Sequence, residues 1–377
     1  MALVSELRRE TAAKQSHAIR NGLICALIVA ACVWATYPVA QIGIDDEWSY
    51  IKTAQLFAQT GHFVYNGWAA MILGWQVVWA ALFIKLFGFS FTVVRLSMLP
   101  IAMATIALFH ASLLRFGINA RNAMLGALTL GLSPLFIPMA ASYMSDVPGL
   151  FVVVLCLYLC QRAVAAGGRR ATLAWLCLAA ASNVVGGTAR QIAWLGALVM
   201  VPSTGWLLRK QRGVLPASLL LWVFSVASIY ACMQWFARQP YSVPESLLHG
   251  YNYFHGNLGS NVFHFLFQMI GAALCLLLLV YPILAAWLPE GRRLDRAALL
   301  RIASVLAVWG VFQWITGWTM PWLSKVIRAE FATSRMDPTL PPAPFFLPMW
   351  MQALISLLVI ATALVLLERR GLWSRIG

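Results

Sequence analysis

The sequence predicts an all-α integral membrane protein, a polytopic bundle of about ten transmembrane helices with interfacial helices in its first outer loop. Three observations carry that prediction. Of 377 residues, 61% are hydrophobic and only 10% charged. The mean hydropathy is +0.78. The apolar residues also fall into runs of about 17 to 25, the length that crosses a bilayer as a helix. No soluble globular composition approaches that balance.

The first 20 residues form a basic tail, and the first span follows at 21–42. A weak small-residue pattern near Ala40 leaves signal-peptide cleavage as an alternative, but an uncleaved span delivers Gly43 to the same outer side. Further spans are expected at 92–114, 122–142, 147–166, 171–187, 191–208, 214–236, 262–288, 297–319 and 345–367.

Residues 69–91 are the ambiguous stretch, apolar enough to span yet carrying Lys85 and Gly88 near its end. Charge parity decides it. If this stretch does not cross, 19 of the 27 basic residues fall on one face, among them Arg115, Arg121, Arg162, Arg169, Arg170, Arg209, Lys210 and Arg212. The opposite face then holds 8 basic residues against 7 acids. Counting it as a span would put the basic clusters outside, against the positive-inside bias. It is therefore read as an interfacial or re-entrant helix on the outer face. Both termini are then cytoplasmic, and in a bacterial inner membrane the outer face is periplasmic.

The formal charge of +15 is thus an orientation signal spread over many loops rather than one patch, which argues against a nucleic-acid partner. The lipid bilayer is the partner that the composition demands. Seven cysteines all fall inside expected spans, where they act as small apolar residues, so neither a disulfide framework nor a metal cluster is indicated.

No repeat or soluble domain is visible, and 1–377 reads as one integral-membrane domain. Three outer loops are long: 43–91, 237–261 and 320–344. In the first, Tyr50, Ala54, Phe57 and Ala58 share one helical face, the pattern of an amphipathic helix lying on the membrane surface. The second is rich in aromatics, Gly and His, and its Tyr241, Tyr251, Tyr253 and Phe254 are candidates to stack a sugar or hold a lipid chain. The third ends in DPTLPPAP, which cannot be helical and reads as a flap.

Few residues can carry chemistry. Asp45, Asp46 and Glu47 stand together just after the first span, and their simpler role would be to start a helix. Asp146 lies between two spans on the same outer face. A carboxylate at membrane depth costs about 2.5 to 3.5 kcal/mol on insertion scales and normally marks a polar cavity. Its simpler role is to cap the helix entered at Pro148. Arg190 sits at the next outer connection, with a snorkelling side chain as the alternative. Together these residues make a cavity that holds an anion beside a general base. Lys85 and Arg95 flank the interfacial helix as phosphate contacts or headgroup anchors. His62, His249, His255 and His264 lie in or near outer loops without zincin-like spacing, so no metal site is assigned.

Asp46-Glu47-x-x-Tyr50-x-x-x-Ala54, a Gly at 61, Lys85-Leu-Phe-Gly88 and Arg95-Leu96 resemble the first outer loop of GT-C glycosyltransferases. The relatives in view are aminoarabinose transferases, protein O-mannosyltransferases and rhizobial lipopolysaccharide glycosyltransferases. The resemblance covers roughly residues 20–210, with Asp146 resembling the family's second acidic position. It implies an inverting transfer of sugar from a polyprenyl-phosphate donor to an acceptor hydroxyl on a glycan, lipid or protein of the cell envelope. Asp46 would be the base, with Asp146 and Glu47 in the catalytic set and Tyr50 in the substrate-binding set.

Two departures stand out. The family's Lys-Pro-Pro pattern is missing from Asn66-Gly-Trp-Ala-Ala-Met71, leaving Arg190, Lys85 or Arg95 to contact the donor phosphate. The chain ends at Gly377 after a short basic tail, so acceptor recognition is expected to fall to the loops. Related enzymes differ in their use of a divalent cation, which stays an open alternative; no other cofactor is implied.

Two other classes compete. A secondary transporter should show paired broken helices and repeat symmetry near the midplane, and none is found. A non-catalytic membrane partner would use the acids only as helix caps.

Overall fold

A computed structural model describes residues 2–36, 38–43, 46–69, 71–133, 135–243, 294–316 and 349–369, with isolated positions 269, 273, 276, 277, 280 and 281. Side chains are described from Ile19 onward, positions 316, 349 and 352 excepted. The described residues are helical or irregular, with no strand among them. The chain divides into two compact units, 1–246 and 247–377.

In the first unit, α1 runs Ala2–Ala35, α2 Glu47–Thr60, α3 Gly74–Phe87, α4 Phe91–Leu96 and α5 Met98–Arg115. Then come α6 Ala120–Gly131, α7 Phe136–Ala140, α8 Asp146–Val164 and α9 Arg169–Gly186. A 3-10 turn (Gln191–Trp194) and a π turn (Gly196–Met200) lead into α10 Val201–Leu207, and α11 is Val214–Ala237. The second unit contains α12 Arg296–Thr316 and α13 Met349–Arg369, which are joined by a bidentate Arg301–Glu368 pair at 2.6 and 2.8 Å.

Among the described residues four stretches are long and apolar enough to cross a bilayer: Phe91–Arg115, Asp146–Val164, Val214–Ala237 and Arg296–Ile315. The outward faces of these helices keep large apolar side chains such as Leu220, Phe224, Leu300 and Trp314 exposed, which only a hydrocarbon surround solvates well. The chain is a multi-pass membrane protein.

Expected span 122–142 is broken between α6 and α7, where Ser133 Oγ accepts from Phe136 N at 3.1 Å and restarts the helix. Span 191–208 is likewise assembled from the 3-10 turn, the π turn and α10. Span 262–288 lies outside the described residues apart from the isolated positions.

Stretch 69–91 holds a helix shorter than a bilayer crossing. Its helix α3 has 14 residues, roughly 21 Å at 1.5 Å per residue, against a hydrocarbon core of about 30 Å. Its flanks agree. Helices α1 and α5 are antiparallel: Gly22 faces Ala107 and His110 at one end, while at the other Gln41 Nε2 donates to Thr92 Oγ1 at 2.8 Å and Phe91 N donates to Gln41 Oε1 at 3.1 Å. Segment 43–91 therefore leaves and rejoins the bundle at the same end.

Local signals delimit these elements. Helix α2 stops at Gly61, whose φ of 73° is the left-handed conformation glycine adopts without strain, with its N–H closing on Phe57 O at 2.8 Å. Ser90 caps α4 through Val93 N, and Asn119 caps α6 through Asn122 N. Close helix approach uses glycine: a Cβ at Gly131 would strike Val29, and one at Gly186 would strike Val152.

Candidate active site

The site forms where α2 begins, against the entry of α8 and the turn after α9. Asp46 holds the N-cap position of α2 but makes no side-chain capping bond. Its Oδ1 instead accepts from Trp68 Nε1 at 2.6 Å, and its carboxylate lies close enough to the Tyr50 side chain one turn on to raise the pKa of that phenol. The acid that a helix start would explain is thus turned to other partners.

Asp146 opens α8, and Ser145 before it makes no side-chain cap. The Arg190 guanidinium lies 3.3 Å from Asp146 Oδ1 through Nη2 and 3.4 Å from Oδ2 through Nη1, and Nη1 also donates to Ser145 Oγ at 3.0 Å. About a third of each side chain stays exposed, 37% for Asp146 and 33% for Arg190, so both face an accessible space. Gly149 makes this approach feasible, since a Cβ there would come within 3.0 Å of Arg190 Cβ.

Tyr50 links the two halves. Its hydroxyl is buried and senses Asp46, Arg190 and Asp146 together. Burial raises its pKa most and Asp46 adds to this, as does Asp146 to a smaller degree, while Arg190 pulls the other way. The phenol stays protonated and can donate to an oxygen.

Beneath this cluster lies a closed ion pair. Glu47 is fully buried, and Arg95 reaches it through Nε to Oε1 at 2.8 Å and Nη2 to Oε2 at 2.6 Å. Arg95 also donates to the carbonyls of Ala40 and Ile42, and Glu47 Oε1 accepts from Tyr143 N at 2.7 Å. Four segments thereby meet at one carboxylate: the chain after α1, α2, α4 and the turn leading to Asp146. The pair ties together the segments that carry Asp46 and Asp146.

Of the sequence candidates, Asp46, Tyr50, Asp146 and Arg190 come together, and Glu47 and Arg95 engage each other below them. Lys85 is exposed in the last turn of α3. It lies roughly 16 Å along the helix axis from Gly74, where α3 meets Thr188, so it stands apart from the cluster. Asp45, His249, Tyr251, Tyr253, Phe254, His255 and His264 lie outside the described residues. Tyr241 contributes its carbonyl, which accepts from Gly67 N at 2.8 Å.

Sequence reasoning missed Trp68. No helical or strand spacing joins positions 46 and 68, and the single clue was the unusual Asn66–Met71 stretch. Asn66 holds that stretch in place: its Oδ1 accepts from Ser49 Oγ at 2.8 Å and Trp68 N at 3.3 Å. Trp48 and Trp68 then stand 5.8 Å apart, tilted by 54°, and both are exposed. Such an aromatic corner beside a carboxylate suits the apolar face of a sugar ring.

Among the described residues no three His, Cys, Asp or Glu side chains converge as metal ligands. Both Asp146 oxygens already contact Arg190, so a divalent cation there would have to displace the guanidinium.

Fold and site together define a polytopic helical membrane protein with a paired-acid, single-arginine cluster at one end of its bundle. No family model matches the chain, and no curated protein does. Similar solved structures are two of ArnT from Cupriavidus metallidurans, one bound to undecaprenyl phosphate and one in the apo state, at 18% and 17% identity and a TM-score of 0.47 each. Each alignment covers 91% of this chain and 59% of the ArnT chain, so this chain spans about three fifths of the length it is compared with.

Proposed function

We propose that this chain is an inverting GT-C-type glycosyltransferase that moves a sugar from a polyprenyl-phosphate donor to an acceptor hydroxyl at the membrane surface. The observation that carries the reading is the meeting of Asp46, Tyr50, Asp146 and Arg190 at one end of an apolar bundle. A donor carried on a lipid explains a polar site at the bilayer edge.

In this mechanism the acceptor hydroxyl gives its proton to Asp46 as its oxygen attacks the anomeric carbon. The bond from that carbon to the phosphate oxygen breaks, and the electron pair leaves with the polyprenyl phosphate. Arg190 neutralises the departing charge, Asp146 keeps the guanidinium oriented, and Tyr50 donates to a phosphate or sugar oxygen. Glu47 and Arg95 act by position, without touching substrate. With the basic end of the bundle cytoplasmic, the site faces the periplasm of a bacterial inner membrane.

Membranes containing wild-type or Asp46→Asn protein at matched abundance, given a radiolabelled polyprenyl-phosphate sugar pool, test this. Transfer by the wild type and its loss in the variant is the expected result. Equal product from both would remove Asp46 as base. No wild-type turnover with any donor would favour transport or a non-catalytic role.

A further inference from the structure

The opposite end of the first unit holds a second feature, remote from the acidic cluster. Between α1, α5, α8 and α9 opens a cavity of about 1120 Å³. Its inner wall is apolar, with Leu23, Leu108 and Leu114, and its rim carries Arg115 and Arg162.

The two guanidiniums are held close to one aromatic ring, with no acid paired to either among the described residues. Arg115 Cζ lies 5.1 Å above the Tyr158 ring, and Arg162 Nη1 donates to Tyr158 OH at 3.4 Å while its Cζ stacks 4.3 Å from Trp175. Among the described residues the ion pairs are Arg95–Glu47, Arg190–Asp146 and Arg301–Glu368; none involves Arg115 or Arg162. Two cations fixed near each other over an apolar pocket favour an anion with an apolar tail.

A second observation points the same way. His110 lines the cavity, is fully buried, and has no hydrogen-bond partner on either ring nitrogen among the described residues. A buried imidazole left unpaired is costly unless a ligand's hydroxyl or ester oxygen meets it. The surrounding charge agrees: Arg169 lies against Gly213, and Thr172 bonds Gln211. These contacts gather the basic start of α9, with Arg169 and Arg170, and the basic turn 208–213 at this same end.

We propose that this cavity binds one anionic phospholipid, its phosphate held by Arg115 and Arg162, its glycerol region beside His110 and an acyl chain along the leucine wall. This reading is independent of the catalytic one, because none of its residues belongs to the acidic cluster.

The test is native mass spectrometry of the full chain released from detergent after incubation with dioleoylphosphatidylglycerol or dioleoylphosphatidylcholine. Wild-type protein should retain one phosphatidylglycerol, and Arg115→Gln/Arg162→Gln should lose that adduct by about tenfold or more. Arg115→Lys/Arg162→Lys keeps the charge and serves if the glutamine variant is poorly folded; it should retain the lipid at an intermediate level. Equal retention of phosphatidylcholine, or undiminished phosphatidylglycerol in the glutamine variant, would overturn the proposal. Inorganic phosphate or glycerol 3-phosphate should not displace the lipid; displacement by either at millimolar concentration would mean a free-phosphate site and overturn the lipid assignment.

Discussion

The indole N–H of Trp68 donates to Asp46 Oδ1 at 2.6 Å, which fixes the carboxylate and occupies one of its two oxygens. In the proposed mechanism the other oxygen takes the acceptor's proton. The indole bond holds the carboxylate in one orientation. Asp46→Asn should lower transfer by on the order of 10²- to 10⁴-fold. Trp68→Phe should lower it only about 3- to 10-fold, the loss of a bond worth ~1 kcal/mol. Initial rates at matched abundance check both, and a Trp68→Phe loss as deep as that of Asp46→Asn would give the indole a larger part than orientation.

Arg190 and Asp146 should behave as one unit. Arg190→Lys keeps the charge but not the planar two-point contact, and transfer should fall on the order of 10²-fold. Asp146→Asn should fall less, and the double variant should be no worse than Arg190→Lys alone. Strictly additive losses in that double-variant cycle would mean the two side chains act separately.

Glu47 and Arg95 are expected to govern stability. Removing one member leaves the other charged and buried, a loss of about 3 to 5 kcal/mol. Glu47→Gln should therefore show a markedly lower melting temperature in detergent and a low membrane yield. Glu47→Gln/Arg95→Gln should recover part of that loss, because no lone charge remains. A Glu47→Gln protein that melts like the wild type but fails to transfer would instead put Glu47 into the chemistry.

Alkaline pH should weaken the outer segment. The phenols of Tyr50 and Tyr65 are both pushed above the usual tyrosine value, chiefly by burial, and Tyr65 donates to Ile72 O at 2.8 Å. With folded values above the unfolded value of about 10, their contribution is complete below about pH 10 and is lost as pH rises towards the folded values. Melting temperature should fall as pH rises above about 10, and less steeply in Tyr50→Phe/Tyr65→Phe. An equally steep fall in that variant would assign the effect to other groups.

The helical plan was legible because bilayer burial acts on each segment alone: a run of apolar residues suffices, and α5, α8 and α11 fall where hydropathy puts them. Charge asymmetry reads the ambiguous stretch as an outer segment, and its helix α3 has only 14 residues. Legibility failed where a helix is interrupted for tertiary reasons. The break between α6 and α7 and the π turn at Gly196 leave no trace in a hydropathy window, since packing against neighbouring helices compensates the lost backbone bonds.

For the site, the sequence by itself determined which residues have chemistry to offer, because carboxylates and a guanidinium in so apolar a chain are few and costly to bury. Only the tertiary structure decided their partners. Asp46 and Glu47 are adjacent in sequence, yet one reaches Trp68 at an exposed corner while the other is sealed against Arg95. Neighbouring side chains on a helix point about 100° apart, so one step along α2 separates the accessible space from the core. Which acid faces which is a property of the packed helices, and no local pattern encodes it.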